Sequence, residues 1–318
     1  MILNRSITQY LLLYLFISVI FPVEYTNYDF EIFSLSIDAR TNSLGGIPHS
    51  ESMDLNRVYS LNENYRAGKS LFSYGQSYSG VINYFQMSRI ILESTKSRIG
   101  VSVLHKKIDN IPNTQDAWID LGYDINQSDI NYENISFYSD RQIAIILLYS
   151  YNSIIGDIGL KIKPFYTSIF EYNSLGFSLD LGMTKYILDD LIIGFSINNL
   201  LSLNKWNTGK AYSLYRDVSS LLSYSKGKHL VMGEFSTSLS DLNDILVNSS
   251  YKIGYENSVY REIKIQIGYS SIKSFSLGFS FEHNNRNFSY SFSPNFNNII
   301  LGHDHQFSIL LDLPYNLN

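Results

Sequence analysis

Apolar residues recur at every second position through most of this chain, a period that admits strands and leaves little room for helices. In residues 174–185 the odd positions Phe177, Leu179, Leu181 and Met183 are apolar, while Gly176, Ser178, Asp180, Gly182 and Thr184 are small or polar. Ile263, Ile265, Ile267 and Tyr269 alternate in the same way with Lys264, Gln266, Gly268 and Ser270. The pattern returns at Phe275, Leu277, Phe279 and Phe281, at Phe288, Tyr290 and Phe292, and at Phe307, Ile309, Leu311 and Leu313. Earlier instances are Ile99, Val101 and Val103, and Ile158, Leu160 and Ile162. Successive strand side chains point to opposite faces, so each segment presents one apolar and one small polar face.

Two architectures use such a strand: a sandwich with its apolar face inward, or a membrane barrel with that face turned to lipid. A sandwich in water carries many charges on its second face. Here that face is Gly, Ser, Asn and Thr, small enough to line or fill a crowded lumen. Tyr149, Tyr151, Tyr166, Tyr186, Tyr255 and Tyr269 fall near strand ends, as an interfacial girdle requires. A content of 26 Tyr and 19 Phe beside 6 Pro and 17% charged residues favours strands over helices. The expected fold is all-β, an antiparallel transmembrane β-barrel of about 14 strands between Leu71 and Leu313.

Arg5 followed by the apolar run Tyr10–Val23 has the form of a signal peptide, its core too short to span a bilayer comfortably. We therefore divide the chain into a signal peptide (1–25), an N-terminal segment (26–66) and an outer-membrane barrel (67–318), and expect export to the bacterial outer membrane. Alternation is weak in Asp29–Arg66, which is expected to lie in the barrel or at its periplasmic mouth. Short turns are expected at Asp189-Asp190, Glu256-Asn257, Ser271-Ile272-Lys273 and His283-Asn284-Asn285-Arg286. Longer connections are expected at Asp109–Asp140 and Leu203–Asp217.

A net charge of -5 gives no support for nucleic-acid binding, and the absence of Cys removes disulfides, thiolate metal sites and Cys nucleophiles. Gly-Phe-Ser recurs at Ser178, Ser196 and Ser280, each inside an alternating strand and not at a nucleophile elbow. Gly68-Lys69-Ser70 ends like a phosphate loop, but Glu63 stands where its first glycine belongs. His303 and His305 flank Asp304 and share a strand face, yet a metal needs a third ligand. The carboxylate pairs Asp189-Asp190 and Asp241 with Asp244 belong to turns. No catalytic, cofactor-binding or metal-binding residue is assigned, no cofactor is implied, and no enzyme is expected. Inward Asp180, Glu282 and Asp312, with Lys161, Lys163, Lys264 and Arg98, are expected to form a charged lumen network.

Asp38-Ala39-Arg40 and Ser43-Leu44-Gly45-Gly46, followed by Ser73-Tyr74-Gly75 and Asn83-Tyr84-Phe85, resemble the opening of PorV/PorQ-type outer-membrane proteins, themselves related to FadL-like transport barrels. Tyr172–Gly182 is similar to that family's central strand and Leu191–Leu200 to its partner. Phe288–Pro294 with Leu301–Ser308 resembles its last hairpin. The chain departs at Asn62-Glu63-Asn64, where the family has Asn-Pro-Ala. The resemblance implies a 14-stranded barrel in outer-membrane lipid that serves type IX secretion or surface attachment, with secretion-machinery proteins or secreted cargo as partners. The FadL-like relatives imply instead a transporter of hydrophobic small molecules, with a hydrophobic ligand.

Overall fold

The computed structural model describes residues 24–26, 31–36, 38–117, 130–239, 249–272, 274–294 and 302–313. The signal-peptide core, Lys273, Asp241 and Asp244 lie outside these residues. The described strands are β1 (Glu24–Thr26), β2 (Lys69–Ser77), β3 (Ile82–Glu93), β4 (Ser97–Asn113), β5 (Ser136–Ser153), β6 (Gly156–Ile169), β7 (Tyr172–Leu188), β8 (Leu191–Trp206), β9 (Ala211–Leu214), β10 (Asp217–Lys226), β11 (His229–Ser238), β12 (Ser249–Ser258), β13 (Ile263–Ser270), β14 (Ser274–His283), β15 (Arg286–Ser293) and β16 (Asp304–Asp312).

Fourteen of them close into an antiparallel barrel: β2 to β8 and β10 to β16 pair in chain order, and β16 pairs with β2. Closure leaves no exposed edge between the first and last strands, which an apolar sheet requires if it is not to pair with other chains. Outside the ring, β9 folds back on the end of β8, and β1 runs parallel to β9.

The alternation anticipated in the sequence sets the two faces. Ile143, Ile145, Leu147 and Tyr149 of β5 point outward and are exposed, as are Phe275, Leu277, Phe279 and Phe281 of β14 and Ile265 and Ile267 of β13. A continuous wall of exposed Ile, Leu and Phe is costly in water and stable in lipid. Aromatic side chains pair along it, Tyr269 standing edge-on to Phe275 at 5.3 Å between ring centroids. Tyr186 is an exception to the expected girdle: it has the inward parity of its strand, and its hydroxyl accepts from Asn62 Nδ2 at 3.4 Å.

The two ends of the barrel differ. At one end β3–β4, β5–β6, β7–β8, β10–β11, β12–β13 and β14–β15 are joined by short turns, and β2 begins and β16 ends there. The opposite end carries the long β4–β5, β11–β12 and β15–β16 connections. Three boundaries need correction. Glu256 and Asn257 are not a turn: β12 continues through Ser258, and Glu256 faces the lumen. The stretch from Leu203 is not loop either, since β8 runs on to Trp206 and β9 follows. β4 and β5 likewise extend into the expected Asp109–Asp140 connection, to Asn113 and from Ser136.

Candidate functional site: a cavity beside an internal plug

Residues 31–36 and 38–66 lie inside the barrel, where Ile32, Ala39, Leu44, Ile47, Met53, Leu55, Val58 and Leu61 are buried almost completely. The segment starts at the long-loop end, where Lys106 of β4 holds Glu31 and Gln142 of β5 accepts from the Ile32 amide at 3.0 Å. It leaves at the short-turn end to enter β2, with Leu61 N donating to Ser150 of β5 at 2.7 Å and Ser60 bonded to Thr184 of β7 at 2.6 Å. Crowding explains the small inward residues. A Cβ on Gly268 would stand 2.0 Å from the amide of Gly45, and one on Gly182 2.3 Å from the Tyr59 carbonyl. Gly is the residue that lets another backbone come this close to a strand.

The plug meets two kinds of wall. On β2 to β6 its Met53, Leu55, Val58, Leu61 and Tyr65 join Leu71, Tyr84, Ile90, Leu104, Ile146, Leu148 and Phe165 in one apolar cluster. On β14 to β16 the contacts are hydrogen bonds from serines. Ser308 donates to Asp38 at 2.9 Å and accepts from the Ala39 amide, Ser276 donates to the Ser43 carbonyl at 3.1 Å, and Ser291 accepts from Asn42 at 3.0 Å. Asp38 also caps the one-turn helix Ala39–Ser43 and accepts from Ser52 at 2.8 Å.

One ion-pair group fastens the plug to β12 and β13. Arg40 donates in bidentate fashion to Glu256, both contacts at 2.7 Å, and to Glu51 at 2.6 Å, while Lys264 reaches Glu51 at 3.0 Å. Burial works against the Arg40 charge, but the two carboxylates outweigh it and hold its pKa above the usual guanidinium value. Arg40 in turn holds Glu51 well below the ordinary carboxylate range against the cost of its burial. Burial, with Arg40 close by, pushes His49 down to about 4, so the imidazole is neutral at pH 7. Its Nδ1 accepts from the Glu51 amide at 3.2 Å.

Beside the plug, on the long-loop side, lies a cavity of about 720 Å³. That size falls within the range of small-molecule sites. Its barrel wall comes from β8 and β10 to β13, with Ser196, Asn198 and Asn199, Ser219, Ser236 and Ser238, Ser249, Ser250 and Ser270 among the lining residues. The plug contributes Phe33, Asn56, Arg57 and Tyr59. A bulge in β8 shapes one side. Leu179 of β7 pairs with Leu201, but Leu181 pairs with Ile197, leaving residues 198–200 without partners on β7. Asn199 takes φ 55 there, and its amide donates to Asp180 at 2.9 Å.

The expected charged network forms in part. Asp180 lies between Lys163 at 2.8 Å and Lys161 at 3.4 Å, and Lys161 also donates to the Asn56 carbonyl of the plug at 3.0 Å. Lys264 joins the Arg40 group. Arg98 contacts only Glu93, at 3.9 Å, among ion-pair partners in the described residues. Glu282 and Asp312 do not take part: both are exposed at the short-turn end, beyond the packed lumen. Sequence reasoning missed Arg40, Glu256, Glu234 with its partner Lys252, and Lys106, whose inward parity on their strands was the signal for the last four.

The remaining motifs are structural. Ser178 and Ser280 are buried in hydrogen bonds to Asn199 and Ser289, and Ser196 faces the lumen. Lys69 donates to the Asn64 carbonyl at 2.9 Å. His305 faces outward, bonded to the Tyr290 hydroxyl at 2.7 Å, and Phe292 meets His303 edge-on and His305 at a tilt. Among the described residues no group of three or more His, Cys, Asp or Glu is placed to hold a metal.

No protein-family model matches this chain, and no curated protein matches it by sequence. Solved structures do match in fold. The toluene transporter TbuX of Ralstonia pickettii aligns with a TM-score of 0.58 at 9% identity, over 87% of this chain and 98% of that one. The toluene transporter TodX of Pseudomonas putida gives 0.58 at 10% identity, over 86% and 96%. A FadL homologue of Pseudomonas aeruginosa gives 0.50 at 7% identity, over 87% and 98%. At these identities the likeness establishes the fold alone, a closed 14-stranded antiparallel β-barrel like those of these transport proteins, and lends nothing specific to the PorV/PorQ resemblance.

Proposed function

We propose that this chain is an outer-membrane channel that admits small organic molecules through a plugged barrel. The observation that carries this reading is the cavity of about 720 Å³ on the long-loop side of a lumen otherwise filled by residues 31–66. An open pore has no use for such a plug, and a purely structural barrel has no use for the cavity. The apolar outer wall supports residence in lipid, and the arrangement of short turns at one end and long loops at the other supports an orientation with the cavity toward the outside. The names of the structural neighbours, which are toluene transporters, support passage of small organic molecules over service to a secretion machine. On this reading the signal peptide is removed on export, and the segment that follows Glu31 acts as the plug.

Uptake by a deletion strain tests it. A strain lacking the protein should take up radiolabelled long-chain acid or toluene more slowly than its complemented parent. Equal rates for both, with surface delivery of secreted proteins impaired in the mutant, would overturn the channel in favour of a secretion accessory.

A further inference from the structure

The cavity presents many hydrogen-bonding groups. Hydroxyl and amide side chains supply most of the residues of its barrel wall, and their carbon atoms, with Phe33, Leu214 and Ile272, give it apolar surface as well. A bare hydrocarbon filling it would strip water from these groups without replacing the hydrogen bonds, each loss a cost to binding.

The charges sharpen this further. Of the six charged residues that line the cavity, Glu31 pairs with Lys106, Lys163 with Asp180, and Glu234 with Lys252. Arg57 and Asp217 have no ion-pair partner among the described residues. The Arg57 Nη2 donates to the Ser34 carbonyl and the Nε has no accessible surface, so the terminal nitrogens are what this guanidinium offers a guest. A guanidinium with spare donors is suited to a planar oxyanion, which it binds through charge-assisted hydrogen bonds. Asp217, at the start of β10 and bonded to Ser238, accepts hydroxyl protons.

We propose that the cavity binds a compact polyhydroxylated organic acid, a compound of the sugar-acid class, with its carboxylate on Arg57 and its hydroxyls on Asp217 and the surrounding serines. This proposal rests on the channel reading for its physiological meaning but stands or falls on binding alone. Neither a neutral sugar nor an alkyl acid fits the whole set: the first leaves Arg57 without an anion, the second leaves the serines and Asp217 without donors or acceptors.

Titration calorimetry on the full chain in detergent, with sodium gluconate, glucose and dodecanoate as the three probes, tests the assignment. Gluconate should bind saturably, at least tenfold tighter than glucose, and tighter than dodecanoate. Arg57→Gln should weaken gluconate about tenfold and leave glucose unchanged, with Arg57→Lys, which keeps the charge but not the planar fork, falling between the two. The ranking of the three probes on the unaltered protein decides the matter even where a variant fails to fold. Dodecanoate binding more tightly than gluconate, no saturable gluconate binding, or equal gluconate affinity in the unaltered protein and a folded Arg57→Gln would each overturn the proposal. Uptake of toluene with no gluconate binding would remove the ligand class and leave the channel. Gluconate binding without passage of any solute into proteoliposomes would do the reverse.

Discussion

The wall of β2 to β6 and the wall of β12 to β16 hold the same plug by opposite means. The first offers Leu71, Ile90, Leu104, Ile146 and Phe165 to the plug's own Met53, Leu55 and Leu61. The second offers glycines, serines and one ion-pair group. Apolar packing is lost in proportion to the area re-exposed and water does not substitute for it. A serine hydrogen bond is easily exchanged for one to water and is worth about 1 kcal/mol net. The β2–β6 side therefore acts as the anchor, and the β12–β16 side as the face from which the plug detaches. The cavity lies toward this second side, so widening it by plug displacement breaks exchangeable contacts first.

The Arg40 group is where this comparison is easiest to break, because it concentrates the strength of the polar side in one residue. Arg40→Ala removes the bidentate partner of Glu256, which keeps only Gln266 at 3.0 Å and Lys264 at 3.9 Å. Leaving a buried carboxylate so poorly compensated costs about 4 kcal/mol. The unboiled-to-boiled mobility transition should move to markedly lower temperature, and residues 31–66 should become sensitive to added protease. A plug as protected as in the unaltered protein would mean that the serine and glycine seam suffices alone.

Leu104→Ala probes the anchor and should cost about 3 kcal/mol, from lost burial plus the cavity left behind. Leu104 is fully buried in the cluster against the plug. The expected signature differs from that of Arg40→Ala: the whole barrel loses thermal stability in the same transition, with no early release of the plug. Proteolysis of residues 31–66 well below the barrel transition would show that the apolar side is not the anchor.

How far the sequence revealed this depends on periodicity. The barrel was legible because outward Phe275, Leu277 and Phe279 and inward Ser276, Gly278 and Ser280 repeat at period two. The anchor wall left a trace as well: Ile143 to Leu148 is apolar at every position, so β5 is apolar on both faces, whereas β14 is apolar on one. Glu256-Asn257 reads as a short turn in the sequence. Glu256 lies inside because Arg40, 216 residues away, meets it there. Plug residues 31–66 follow no helix or strand period, so nothing local separates Arg40, which is fastened, from Arg57, which faces the cavity. The cavity itself was invisible, since parity tells which serines point inward but not where the plug leaves them unfilled.

Ser308 supplies the smallest effect and the finest resolution of the two faces. It bonds Asp38 and the Ala39 amide, at 2.9 and 3.3 Å, and so touches the helix start that positions Arg40. Ser308→Ala should cost about 1 kcal/mol, since water can enter a polar seam and replace the lost hydroxyl. Amide hydrogen exchange should rise at Ala39 and its neighbours while Leu55 and Leu61 on the apolar side stay as protected as before. A loss as large as that of Leu104→Ala, with exchange raised on both sides together, would mean that the plug moves as one rigid body and that the distinction between anchor and releasing face does not hold.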